Sequence, residues 1–229
     1  MNSLVSRYAV KQNKSIQKLL VHPLFEGMNK ITKEQFEAYL LQKAVLSARF
    51  VQWYQAAYSR ISSKNLREII DKIIDEEEPR SGPAHYDLLL QDLDKIGIEK
   101  EKVRRTYPTD LTETSYGLLY GRVKEDKWED TNIWIAAVLH TAGEVLVSPE
   151  YKAIVDQLEK RYSLRKEGSV FYYPHAIEDE KDTGAHSRAF LNFIESAITT
   201  DAQLAVALAG IDAATNARLL FFDQFSKDY

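Results

Sequence analysis

Apolar residues along this chain recur at the three- and four-residue spacing of helices, and almost nowhere at the alternation of strands. Leu4, Val5, Tyr8, Ile16, Leu19 and Leu20 mark a first amphipathic helix. It stops before His22-Pro23, because the residue ahead of a proline disfavours the helical region. Thr32 and Gln35 form a capping box that opens a long second helix running to about Arg60, with Phe36, Leu40, Phe50, Tyr54 and Ala57 or Tyr58 on its apolar side. Leu66, Ile69, Ile70, Ile73 and Ile74 define a third helix that meets Pro79, Gly82 and Pro83, which kink or break it. Ala84–Ile96 resumes the helical period through Leu88, Leu89 and Leu93, and Gly97 ends it. Further helices are predicted over Leu111–Val123, Thr131–Val147, Glu150–Tyr162, His175–Ile198 and Asp201–Phe225. Only Ser169–Tyr173 alternates, and it is too brief to settle. Glu159–Glu167 reads as a helix end running into a solvated connection.

The last helix is apolar over much of its circumference (Leu204, Val206, Leu208, Ile211, Leu219 to Phe222), which suits the centre of a bundle or a subunit contact. These elements predict a single all-α domain spanning residues 1–229, a helical bundle of eight to ten helices.

The interest lies where an apolar stripe turns polar. Glu77 stands four residues past Ile73 and Glu78 four past Ile74, so two carboxylates continue an inward face. His85 lies three before Leu88 and four before Leu89. Ile133, Ala137, His140 and Glu144 share a face at spacings of four, three and four. His175, Asp179, Asp182 and His186 do the same, and their face then becomes Phe190, Phe193 and Ala197. Ionised carboxylates in a dry interior cost several kcal/mol unless paired or bound to a cation. Imidazole and carboxylate without thiolate suit iron, manganese or zinc. Taken singly, the same residues have blander readings. Asp75–Glu78 is also a solvated acidic run, His140 a hydrogen-bonded core histidine, and His22 a structural turn residue.

Composition narrows the chemistry. The 229 residues contain no cysteine, which excludes a disulfide framework, a thiolate zinc site, an iron–sulfur cluster and a cysteine nucleophile. Nine glycines and six prolines are too few for a turn-rich β-fold. With 34 acidic against 30 basic side chains the net charge is −4, so there is no electrostatic footprint for nucleic acid. The first fifteen residues have no apolar signal region, and the longest uncharged stretch, Thr131–Gly143, is too short to span a bilayer. Asn13-Lys14-Ser15 fits a glycosylation sequon by chance. A cytoplasmic protein without membrane attachment is expected.

His22-Pro23-Leu24-Phe25, Thr32-Lys33-Glu34-Gln35-Phe36, Tyr39-Leu40-Leu41-Gln42, Asp75 to Glu78, and Phe221-Phe222-Asp223 together resemble the heme-oxygenase-like helical fold, in its TENA, PqqC and CADD group. The resemblance spans nearly the whole chain through motifs that are individually weak. One branch, the heme-oxygenase-like di-iron oxidases and oxygenases, uses Glu-x6-His, a later Glu, and His-x3-Asp-x2-His. The resemblance implies metal ligands at Glu78, His85, Glu144, His175 and Asp179. The final histidine position falls on Asp182, so either Asp182 ligates, or His186 one turn later replaces it, or the second metal is weak or absent. Glu76 or Glu77 is the alternative first ligand if the local helix is overwound.

The implied function is a non-heme iron oxidase or oxygenase, with one or two ions, acting with O2 on a small organic molecule. Manganese and zinc are the other metals such donors accept. The alternatives are a catalytically degenerate member that binds a small molecule or protein, and a cofactorless PqqC-like oxidase. The thiaminase chemistry of TENA is excluded by the missing cysteine. Heme degradation is disfavoured because His22 lies past the first helix. A homodimer is expected from the resemblance and from the apolar last helix.

Overall fold

The structure, a computed structural model, describes residues 3–124, 130–177 and 183–226. These hold thirteen α-helices and one π-helical turn, with no strand among the described residues. In order they are α1 (Ser3–Leu20), α2 (Pro23–Glu26), α3 (Lys33–Ser47), α4 (Phe50–Tyr58), α5 (Lys64–Glu77), α6 (His85–Lys95), α7 (Lys100–Arg104) and α8 (Asp110–Lys124). There follow α9 (Thr131–Leu139), the π-turn (His140–Val145), α10 (Val147–Tyr162), α11 (Tyr172–Ile177), α12 (Thr183–Ala197) and α13 (Asp201–Asp223). The fold is the all-α bundle expected.

The helix count exceeds eight to ten because long predicted helices are broken. The predicted Thr32–Arg60 helix ends at Ser47 and restarts at Phe50, with Arg49 at φ −107° and ψ 3°. The guanidinium of Arg49 reaches across to Glu113 at 2.7 Å and over the Tyr116 ring, tying the break to α8. The predicted Thr131–Val147 helix changes at His140 into a π-turn. The predicted His175–Ile198 helix is two described helices, and residues 178–182 between them, with Asp179 and Asp182, lie outside the described residues. Two short helices, α2 and α7, carry too few residues to show a period.

Local signals mostly held. Thr32 and Gln35 make the reciprocal capping box, and Thr200 with Gln203 makes another at the start of α13. His22 caps α2, its Nδ1 accepting from the Leu24 N–H at 3.2 Å, while Nε2 lies 3.2 Å from Asp223. It is the turn residue the sequence suggested.

Helix α13 is the axle: it packs on α1, α8 and α9. Gly210 permits the closest approach, since a Cβ there would stand 2.9 Å from the Trp134 carbonyl and 3.0 Å from the Ala137 Cβ. The apolar surface that made α13 resemble a subunit contact is thus largely consumed inside the chain. Two buried clusters form the core. One joins Phe36, Tyr39, Leu89, Tyr151, Phe171 and Phe221; the other joins Tyr54, Ile70, Trp134, Phe190 and Ile211. Side chains from both line a cavity of about 120 Å³, and around it the candidate site is built.

Candidate metal centre

Candidate metal donors reach this cavity from α5, α6 and α11, and the π-turn that holds Glu144 lines it through Gly143. The apolar stripe of α5 (Leu66, Ile70, Ile73) is buried, and Glu77, one turn past Ile73, follows it inward to the lining. Glu78 does not. It is the C-cap residue, at φ −124° and ψ 69°, and its side chain is exposed. The carboxylate that reaches the cavity is therefore Glu77 and not Glu78, because the helix ends before Pro79 and Glu78 unwinds toward solvent. His85 opens α6 on the far side of that break, with its Nδ1 3.2 Å from Glu77 Oε1.

His175 sits on α11, stacked edge-on to His85 with ring centroids 5.3 Å apart. Its Nδ1 lies 2.6 Å from the Phe171 carbonyl. A carbonyl only accepts, so Nδ1 carries the proton and Nε2 keeps its lone pair. Burial pushes the His175 pKa down, which favours that neutral imidazole. A backbone carbonyl fixing the outer nitrogen of a histidine is the usual support of a metal-binding imidazole.

Asp92 anchors the segment that carries His175. It is fully buried and accepts from the Ser169 hydroxyl at 2.5 Å and from the backbone N–H groups of Val170, Phe171 and Tyr172 at 2.9 to 3.1 Å. Burial raises the Asp92 pKa, but these four donors more than offset it and hold the carboxyl below its ordinary value. This clamp went unread in the sequence, where Asp92 looks like any polar residue between Leu90 and Leu93. Its place on the buried face of α6 was the available signal.

Glu144 lies in the π-turn and is buried, 8% exposed. Such turns insert an extra residue into a helix and are frequent at functional sites. The adjacent Gly143 faces the hydroxyl of Tyr54, and a Cβ at that position would meet it at 2.3 Å. Tyr54 is fully buried and its hydroxyl has no hydrogen-bond partner. Its pKa is pushed far up, first by burial and then by the negative charges of Glu144 and Glu77. A buried donor left open near two carboxylates is an expensive arrangement unless a further group completes it.

The other candidates lie apart. His186, on α12, contacts the exposed Glu76 with its Nε2, at 3.2 Å. His140 is a core histidine: Nδ1 meets the Tyr8 hydroxyl at 3.0 Å and Nε2 the Ser187 hydroxyl at 2.9 Å. Burial lowers its pKa to about 4. Among the described residues no three His, Asp or Glu side chains stand close enough to enclose an ion as placed. The donor chemistry nonetheless fits one: two imidazoles and two carboxylates, no thiolate, an oriented His175 and an unsatisfied tyrosine hydroxyl.

Comparison with known proteins decides the family. A family model described as an iron-containing redox enzyme matches residues 37–219. The chain belongs to this family. A Chlamydia muridarum protein named 4-aminobenzoate synthase is 30% identical over 113 residues, covering 48% of this chain and 46% of that protein. The chain thus aligns with about half the length of that curated relative. Among solved structures, a CADD-like protein of unknown function from Nostoc punctiforme superposes with a TM-score of 0.75 at 16% identity, covering 97% of this chain and 98% of that one. A TenA homologue from Pseudomonas syringae pv. tomato gives 0.73 at 11% identity, with 97% and 92% covered. A heme-oxygenase-like domain from Shewanella denitrificans gives 0.71 at 14%, with 98% and 90% covered. At these identities the structures establish the heme-oxygenase-like fold, and the iron-containing redox family is carried by the family model.

Proposed function

We propose that this chain is a non-heme iron oxidase or oxygenase that acts with O2 on a small organic molecule. Glu77, His85, Glu144 and His175 hold the iron, and Asp179, four residues past His175, completes the set. The observation that carries the reading is the meeting of Glu77 with His85 and of His85 with His175 on the wall of one largely apolar cavity. Bound iron supplies the one-electron chemistry that activates O2, which no side chain of this protein provides.

The chain's own part is positional. Phe171 fixes the His175 tautomer, Asp92 fixes Phe171, and the Tyr54 hydroxyl stands as a proton donor held against Gly143. Phe50, Leu119, Val147 and Phe171 keep water from the substrate. Iron-reconstituted protein is expected to retain iron after desalting and to consume O2 with a turnover substrate. A folded, iron-supplemented protein that retains none would refute the reading. A second reading, a binding member without catalysis, is favoured by Asp182 standing where the resemblance places a histidine. Iron-dependent O2 consumption distinguishes the two.

A further inference from the structure

The same cavity carries a charged group that the iron reading does not use. Lys43 on α3 and Arg218 on α13 both line the cavity and both point at one carboxylate, Glu150 on α10. Lys43 Nζ is 2.7 Å from Glu150 Oε2, and an Arg218 terminal nitrogen is 3.4 Å from the same oxygen. The Tyr39 hydroxyl donates to the other oxygen at 2.7 Å. Glu150 is fully buried and Lys43 nearly so, with 5% of its side chain exposed. Among the described residues, the buried Lys43 and the largely buried Arg218 therefore share one anion. A buried positive charge without its counter-ion is costly, so this deficit needs an explanation.

Unused donors stand on the same wall. Arg218 gives one terminal N–H to the Ala142 carbonyl at 2.7 Å, but its Nε–H is buried with no partner. The indole N–H of Trp53, also on the lining, is buried and unpartnered. Buried donors are ordinarily satisfied, and here they surround a space that takes a single small ring. The Arg218 Nε–H and the Trp53 N–H are donors to which the protein, among the described residues, offers no acceptor.

We propose that the cavity binds a small organic anion whose carboxylate is held by Arg218 and Lys43, with its apolar body against Phe50, Trp53 and Leu119. The inference rests on the proposed function for what happens to that molecule, but not for its binding. Glu150 sets the strength of the site: it orients the two cations and cancels one of their charges. Arg218 is suited to the head group because its fork matches the two oxygens of a carboxylate.

The test compares benzoate with its neutral isostere benzamide by titration calorimetry, on chelator-treated and on iron-reconstituted protein, with iron content measured in parallel. Chelator-treated protein is expected to prefer benzoate by about tenfold or more. Arg218→Gln should abolish the preference for benzoate over benzamide. Glu150→Gln, which removes the competing anion, should strengthen benzoate binding severalfold, an outcome that a merely structural role would not give. If Arg218→Gln fails to fold, Glu150→Gln decides: stronger binding supports the proposal, and unchanged or weaker binding overturns it. Equal affinity for the two probes, or no binding of either, overturns it. So does a preference that appears only with iron and survives Arg218→Gln; the metal would then be the anion's partner, and the iron reading would stand alone. A preference that persists in a protein unable to hold iron supports the anion site and refutes the iron reading.

Discussion

At Gly143 the absence of a single methyl group decides whether Tyr54 can sit where it does. The hydroxyl occupies the place a Cβ would take, between the π-turn and α4. Gly143→Ala must expel the ring or bend the turn, and overpacking of this kind costs roughly 1–3 kcal/mol. We expect a lower melting temperature together with a loss of iron retention, whereas Tyr54→Phe should keep the fold and lower turnover. Carboxylates 77 and 78 make a second residue-scale contrast. Glu77→Gln should weaken iron binding at least about tenfold, as loss of a ligand does, while Glu78→Gln should leave it unchanged; iron content after desalting reads both. The sequence could not separate these neighbours, because both continue the inward stripe and only the unwinding before Pro79 turns Glu78 outward.

Elements were legible where period and capping agreed, and illegible where a long-range contact broke a helix. Helices α1, α5, α6, α8, α10 and α13 carry an apolar period or a capping signal long enough to read. The break at Arg49 depends on Glu113 and Tyr116, more than sixty positions away, and nothing near Arg49 announces it. The π-turn is likewise silent in the sequence, since His140 to Val145 fits a regular helix equally well. The run Ser169–Tyr173 is not a strand: its hydroxyl and backbone N–H groups wrap Asp92. Asp92→Ala would strand three backbone N–H groups and release the segment leading into α11. We expect a loss of about 3 kcal/mol or more in urea denaturation, given one to three for each orphaned donor. Iron affinity should fall roughly tenfold through His175. Asp92→Asn, which keeps part of the acceptor capacity, should fall between.

For the whole molecule, His140 links α1, the π-turn and α12 through Tyr8 and Ser187. Its pKa is about 6.5 in the unfolded chain and about 4 when buried. Between those values the unfolded state binds the extra proton, so stability is full above pH 6.5 and falls as the pH drops toward 4. The loss amounts to up to about 3 kcal/mol from this group. Denaturation midpoints measured from pH 7.5 to 4.5 should show that slope, and His140→Gln should flatten it. The all-α architecture was readable from periodicity and resemblance. The meeting of Glu77, His85 and His175 on one cavity was not, because it is set by how α5, α6 and α11 meet in space.

Iron held between those elements is the central expectation. Crystals of iron-reconstituted protein, measured on both sides of the iron absorption edge, give the most direct test. An anomalous peak within bonding distance of Glu77, His85, Glu144 and His175 is the predicted result. A map with no peak there, from protein shown to have been iron-supplemented and folded, would contradict it.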